Sequence, residues 1–402
     1  MNALARIPRR LVKPLAERAR RLASRLGRGR VGQTLTRSGP ESFLLTDPRV
    51  ALDPFPHYEE LRARGPVHFL PQHGFWLVLG YEEVQAALTQ PHLFSSRVEE
   101  WQTVDRVLLG ADPPEHTAAR RAVVPHFNAQ AVQSLAGFAE QAAERLLRPL
   151  AGGERRDVLR DFSAPLAEEV AAHLIGFDAE ALAEIRELQS RVRDLEHWLA
   201  SLDSIIEARA ARLPLYEQLS RGGGGAFDAA ACRSLIRMLW VAGTTTTRRA
   251  IASSALMLLR NPPARERVTA EPALLGALFE ESIRLHPPEH TLARAATAEA
   301  ELGGVKIPPG AAVRLCVAAA NRDPARFEDP ATFILERANA RQHLSFGVGP
   351  HRCLGAGLAH AQARAALGAL LRLAPRFRSV VPVDALPFAG FKDDTEQLLI
   401  ER

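Results

Sequence analysis

Along most of this chain apolar side chains return every third or fourth residue, the spacing of helices that bury one face and expose the other. The pattern fills residues 131–150, 164–174, 179–193 and 195–212, and it resumes after the four consecutive glycines Gly222–Gly225. Asp228 then stands at the N-cap of a long helix that reaches Leu259, where Asn261-Pro262-Pro263 stops it. Further helices are predicted over 54–64, 272–285 and 354–373. Alternation is scarcer. Val67–Leu70 and Phe75–Leu79 flank Gln72-His73-Gly74 as a hairpin, and residues 305–317 hold short strands around Pro308-Pro309-Gly310. No repeat of solenoid length is present. These elements predict a mainly α fold, a large helical domain with a small β-rich lobe.

Composition leaves that picture intact, since 47% hydrophobic and 24% charged residues are globular values with ample apolar material for a core. Charge alters it through its location. The whole chain carries +5, yet residues 1–30 hold nine arginines and Lys13 against Glu17 alone, a local +9 that leaves residues 31–402 at −4. Basicity therefore belongs to an N-terminal arm and argues against nucleic acid as a partner. Leu11, Leu15, Leu22 and Leu26 set an apolar seam opposite Arg18, Arg21, Arg25 and Arg28. Two readings of that seam stand: a poorly ordered leader, or a short amphipathic helix making peripheral contact with an anionic membrane or an acidic partner. Residues 1–40 are accordingly read as arm and linker, and 41–402 as one domain. Charge-free stretches such as 122–139 contain Pro, His, Asn and Gln and make no membrane span, and the arginine-rich start lacks the apolar run of a secretory signal. Cys232, Cys316 and Cys353 form neither a disulfide framework nor a zinc-finger spacing, so a cytoplasmic protein is expected.

One of those cysteines carries chemistry. Cys353 leaves a glycine-rich loop at the mouth of a helix, where backbone N–H groups and the helix dipole favour a thiolate. No second thiol or histidine has the spacing for tetrahedral zinc. A lone thiolate suits the axial position of a haem, whose other ligands come from the porphyrin.

The run Phe346-Gly347-Val348-Gly349-Pro350-His351-Arg352-Cys353-Leu354-Gly355 resembles the signature of the cytochrome P450 superfamily in its soluble bacterial form, and further motifs follow the family's order over about residues 45–402. The resemblance implies haem b (iron protoporphyrin IX) with Cys353 as its axial ligand and Phe346 in the binding loop. It also implies that Glu281-Ser282-Ile283-Arg284, with Arg337, is a buried brace of the haem-binding core; taken alone, Glu281 and Arg284 would be a helix-face pair worth little. Asn321-Arg322-Asp323-Pro324 and Phe327-Glu328-Asp329-Pro330 look like the family's connection into that region. Haem propionates need cationic donors in fixed geometry. By the same likeness His116 and Arg120, at i and i+4 on one helix, would supply them together with Arg294 and His351.

Two features depart from the family pattern. Ala242-Gly243-Thr244-Thr245-Thr246-Thr247 resembles the oxygen-activation helix, where a kink at Ala242-Gly243 and an acid followed by a threonine relay protons. Thr246 matches the alcohol, but Thr245 occupies the acid position, and a hydroxyl is a poor proton source near neutral pH. Protons then arrive by ordered water, or from Glu289 or His290, or the enzyme bypasses reductive dioxygen cleavage. A plain alternative is that the threonines back-bond to i−4 carbonyls and only bend the helix. The second departure is length: about 45 residues separate Gly176 from the glycine run, room for two long helices and a short third. An abbreviated lid and a wide pocket mouth follow, favouring bulky or carrier-protein-tethered substrates.

What the resemblance implies is a monooxygenase for oxidative tailoring of a small organic molecule, by hydroxylation, epoxidation or oxidative coupling in a secondary-metabolite pathway. Electrons would come from a separate ferredoxin and ferredoxin reductase, as the chain has no flavin or iron–sulfur motif, and Arg121, Arg352 and Arg364 would suit an acidic partner. The alternatives are a peroxide-using or rearranging haem-thiolate enzyme and, from another class, a non-catalytic haem sensor or scaffold.

Overall fold

Helices carry the body of the protein, and four of the long ones begin in the same way. The side chains of Asn128, Asp178, Asp194 and Asp228 accept from the backbone N–H three residues on, at 2.9, 2.8, 2.9 and 2.8 Å. Each such cap satisfies an N–H that the helix cannot, and contributes about 1 kcal/mol. The computed structural model describes residues 47, 50, 53–192, 194–221, 227–383, 386 and 397–402. The basic arm, the linker and the glycine run at 222–225 lie outside the described residues.

In chain order the elements are α1 (Phe55–Arg64), β1 (Val67–Leu70), β2 (Phe75–Val78), α2 (Tyr81–Thr89), β3 (Phe94–Ser95), α3 (Glu99–Val104), α4 (Glu115–Val123), α5 (Ala129–Ala151), β4 (Arg156–Asp157) and α6 (Ala164–Ile175). Then come α7 (Ala179–Arg191), α8 (Leu195–Arg209), α9 (Pro214–Arg221), α10 (Ala229–Arg260), α11 (Pro262–Ala270), α12 (Leu275–Leu285) and β5 (Leu292–Ala296). The remainder is β6 (Ala300–Leu302), β7 (Val305–Ile307), β8 (Ala312–Leu315), α13 (Val317–Ala320), α14 (Ala356–Leu373), β9 (Arg378–Ser379) and β10 (Leu399–Glu401). Asn261-Pro262-Pro263 ends α10 as expected, but it also opens α11. Proline at a first helical position gives up an N–H that would have lacked a partner anyway. Residues after Leu315 turn into α13 rather than continuing as strand.

The largest core packs α14 along α5, with α10 and α12 against them, around Leu147, Phe162, Leu256, Phe279 and Leu367. A second joins α6, α8 and the first half of α10 around Ile175, Ile206 and Trp240. The β-rich lobe centres on a sheet ordered β1-β2-β8-β5-β3, in which only the β2–β8 pairing is parallel. The predicted hairpin is formed, with Gly74 at φ +69° closing the turn. Strands β3, β4, β9 and β10 are two or three residues long, too short for alternation to announce them. Between Gly176 and the glycine run stand α7, α8 and the shorter α9, the three helices that the spacing allows. No described helix is long and apolar enough to cross a membrane.

Candidate functional site

The site rests on one buried carboxylate. Glu281 and Arg284, a turn apart on α12, have no exposed side-chain surface, and Arg284 donates Nε and one terminal nitrogen to the two Glu281 oxygens at 2.7 and 2.8 Å. Arg337 adds its Nε at 3.0 Å and the Ile334 N–H a further bond at 3.0 Å. The guanidinium of Arg284 also donates to the carbonyls of Asn321 and Pro330, at 2.9 and 2.7 Å. Asn321 passes the order on: its Oδ1 accepts from Leu344 N–H at 2.7 Å and its Nδ2 donates to Ser345 Oγ at 2.8 Å. The brace thus holds the start of the cysteine loop, and the Asn321–Pro324 segment connects the two.

In that loop Gly347 and Gly349 take φ +62° and +70°, and a Cβ on Gly349 would lie 2.6 Å from the Leu88 carbonyl, so only glycine lets the loop press against the end of α2. The chain returns on itself where Cys353 N–H donates to the Phe346 carbonyl at 2.7 Å. The Phe346 ring lies between the imidazoles of His343 and His360, at 5.7 and 5.5 Å between centroids. Cys353 is accessible, yet surrounding protein desolvates its thiol. A group both crowded and accessible lies at an opening in the protein rather than on a convex surface. Burial raises the thiol above its ordinary value, opposed by the Gly355 N–H and by Arg120 and Arg352. The thiolate expected from the loop alone is therefore not favoured by the protein's own groups; a cationic metal is what would deprotonate it.

Around this sulfur the structure gathers the four cationic candidates. His116 is buried on α4 with no partner for Nδ1, and its ring lies 4.0 Å from that of His351. Arg294 on β5 is buried too, and burial pulls its guanidinium down to about 10, with Asp112 opposing. Arg120 is lowered by burial and by Arg352, while Cys353 opposes. Burial, then His116, Arg294 and Arg120, push His351 down to about 3. Among the described residues no carboxylate forms an ion pair with Arg120 or Arg294. Two guanidinium groups without an ion-pair partner, flanked by two imidazoles, fit a dianionic group such as two propionates. Sequence reading missed Ser96, whose Oγ meets His351 Nε2 at 3.2 Å; a serine preceding α3 gives no signal of its own.

The candidate proton-relay threonines stand on α10. Its helix is unbroken through Ala242-Gly243, so the expected kink is not an interruption of the helix. What departs locally is hydrogen bonding: Thr246 Oγ1 donates to the Ala242 carbonyl at 2.8 Å, as Thr244 does to Trp240. Back-bonding of this kind satisfies a hydroxyl without opening the ladder. Ala242 is exposed and Thr245 half-buried. One turn beyond Thr245, Arg249 meets Glu289 at 3.4 Å. The other candidate, His290, lies instead against Phe55 of α1, ring centroids 6.0 Å apart.

Comparison with known proteins follows this geometry. The Cytochrome P450 family model matches residues 156–384. The chain is 31% identical over 356 residues to "Cytochrome P450 144" of Mycobacterium tuberculosis, covering 79% of this chain and 82% of that protein. It is also 31% identical over 355 residues to the 20-oxo-5-O-mycaminosyltylactone 23-monooxygenase of Streptomyces fradiae, covering 82% and 84%. Among solved structures, P450BioI in complex with an acyl carrier protein ligated to hexadec-9Z-enoic acid superposes with a TM-score of 0.77 at 28% identity, over 88% of this chain and 99% of that one.

Proposed function

The chain belongs to the cytochrome P450 family and is a haem-thiolate monooxygenase of that family, and on that premise we propose that it performs oxidative tailoring of an organic small molecule in a secondary-metabolite pathway, by hydroxylation, epoxidation or oxidative coupling. The observation that carries this reading is an accessible sulfur, Cys353, beside two guanidinium groups without an ion-pair partner, Arg120 and Arg294, and the imidazoles of His116 and His351. Haem b fits it. Cys353 would ligate the iron, His116, Arg120, Arg294 and His351 would hold the propionates, and Phe346 would flank the sulfur. When bound, the haem supplies the redox chemistry of dioxygen activation, which no side chain offers.

The chain's own residues do the rest. Ala242 and Gly243 keep the facing stretch of α10 free of bulk, and Thr246 presents a hydroxyl already held by the Ala242 carbonyl. The run of only three described helices, α7 to α9, between Gly176 and the glycine run supports a wide mouth and a bulky or carrier-tethered substrate. So do the named activity of the tylactone relative and the carrier-protein complex of P450BioI. Arg121, Arg352 and Arg364 are exposed and suit docking of an acidic ferredoxin fed by its reductase in the cytoplasm. Thr245 favours one second reading, turnover on peroxide without external electrons.

Carbon monoxide tests the ligand. The reduced protein should give the red-shifted band for which the family is named, Cys353→Ala should lose it, and Cys232→Ser and Cys316→Ser should keep it. A full band in Cys353→Ala overturns the assignment.

A further inference from the structure

Glu289 sits in the segment that leaves α12 and enters β5. Five residues later the same segment places Arg294 beside His351 of the cysteine loop, so it borders the site from α10 to the loop. Its carboxylate is crowded by protein and yet 44% of its side chain is accessible, the same combination found at Cys353. The charged group that faces it is Arg249 of α10, at 3.4 Å. Arg249 follows Thr245 by four residues and Thr246 by three, so its side chain neighbours each of them one turn on. Of the other titratable groups nearby, His286 and His290 have ring contacts with Phe55 of α1, and Arg248 acts on Glu168. Thr245, in the place of an acid, has a hydroxyl with no side-chain partner among the described residues.

We infer that Glu289 supplies, through water in the opening and the Thr246 hydroxyl, the proton that a threonine at position 245 cannot give. The inference rests on the monooxygenase reading above. In the step, the Glu289 O–H bond breaks, the proton moves along water positioned by the Thr246 oxygen, whose own proton stays hydrogen-bonded to the Ala242 carbonyl, and forms an O–H bond on the dioxygen that the external electrons reduce, while the carboxylate left behind is held by Arg249 until solvent reprotonates it. The relay itself moves no electrons. Burial favours the neutral acid by raising Glu289 above the usual glutamate range, and Arg249 opposes that rise. Glu289 acts through other groups and is a positioning residue of the relay.

Three measurements on the haem-loaded, full-length enzyme decide it. First, the infrared difference between parent and Glu289→Gln near neutral pH should contain a protonated carboxyl band, which disappears as pH rises. Its absence overturns the inference whatever the activity. Second, Glu289→Gln should lower the share of electrons appearing as product several-fold, with peroxide rising to match, and Thr245→Asp in that background should restore most of the loss. Third, Arg249→Leu should move the basic limb of coupling and the infrared midpoint upward together by about one pH unit or more, because it removes the one charge holding the pKa down. A merely structural Glu289–Arg249 pair predicts instead that Arg249→Leu loses coupling at every pH with no displaced limb. If the parent forms product with ferredoxin and Glu289→Gln couples equally well, the relay alone falls. If the parent forms product only with peroxide, the monooxygenase reading falls and takes the relay with it.

Discussion

Glu281 has no exposed surface, and two guanidinium groups and one backbone N–H converge on its two oxygens. A buried ion group of this kind is sensitive to losing one member, since the remaining charge keeps its desolvation cost and loses its compensation. Arg337→Leu should therefore destabilise the fold by about 3 kcal/mol, read as a lower urea midpoint, and should loosen the cysteine loop because Arg337 also donates to the Asp329 and Thr332 carbonyls. Arg284→Lys should fail almost as badly, for an ammonium cannot address Glu281, Asn321 and Pro330 from one planar fork. A drop below 1 kcal/mol in the Arg337→Leu variant would mark the brace as an ordinary surface-type pair.

At the scale of elements, α10 does two jobs with two halves. Its first half is tied to its neighbours: Ser234 Oγ donates to the buried Asp105 at 2.6 Å, and Arg237 donates to the Val104 carbonyl at 2.8 Å while pairing with Asp203 of α8. Those ties fix the loop after α3 and the helix α8 against one rigid rod. Its middle carries Ala242 to Thr246, where the hydroxyl of Thr246 is held but not consumed by its carbonyl bond, since an O–H donor still has acceptor capacity. Thr246→Ala should leave haem content and helix intact and lower product formed per electron consumed several-fold, the balance leaving as peroxide. Unchanged coupling in that variant would remove Thr246 from the proton path.

For the whole molecule, the junction of α12, the cysteine loop and α14 is pinned by Glu280, which meets His343 Nε2 at 2.7 Å and His360 Nε2 at 3.2 Å. Burial would raise this carboxyl, but the two imidazoles outweigh it and bring Glu280 to about 2, against an ordinary 4.5. A folded-state pKa below the unfolded one means that the carboxylate stabilises the fold fully above the unfolded value, and that the contribution drains away as pH falls through the folded one. Stability should thus decline between about pH 5 and pH 2, and Glu280→Gln should flatten that limb in acid titrations followed by circular dichroism. An unaltered acid limb in the variant would show that other carboxylates govern it.

The sequence by itself determined the helical frame, because apolar period and Asx caps are local properties: α5, α6, α7, α8, α10 and α14 fall within a few residues of where spacing and capping put them. It also determined the cysteine loop, since Gly347, Gly349 and Cys353 announce themselves at fixed spacing within ten residues, and the family to which the chain belongs follows from that run. Partnership was decided in three dimensions. Nothing local tells that Asn321 holds Leu344 and Ser345, that Ser96 meets His351, that Glu280 draws two histidines together, or that Glu289 faces Arg249 while His290 turns to Phe55. The two-residue strands were equally silent, as an edge pairing is set by the partner strand and not by its own side chains. The thiolate shows the limit best: loop and helix favour it locally, but desolvation depends on everything packed around Cys353, and that larger, non-local contribution reverses the sign.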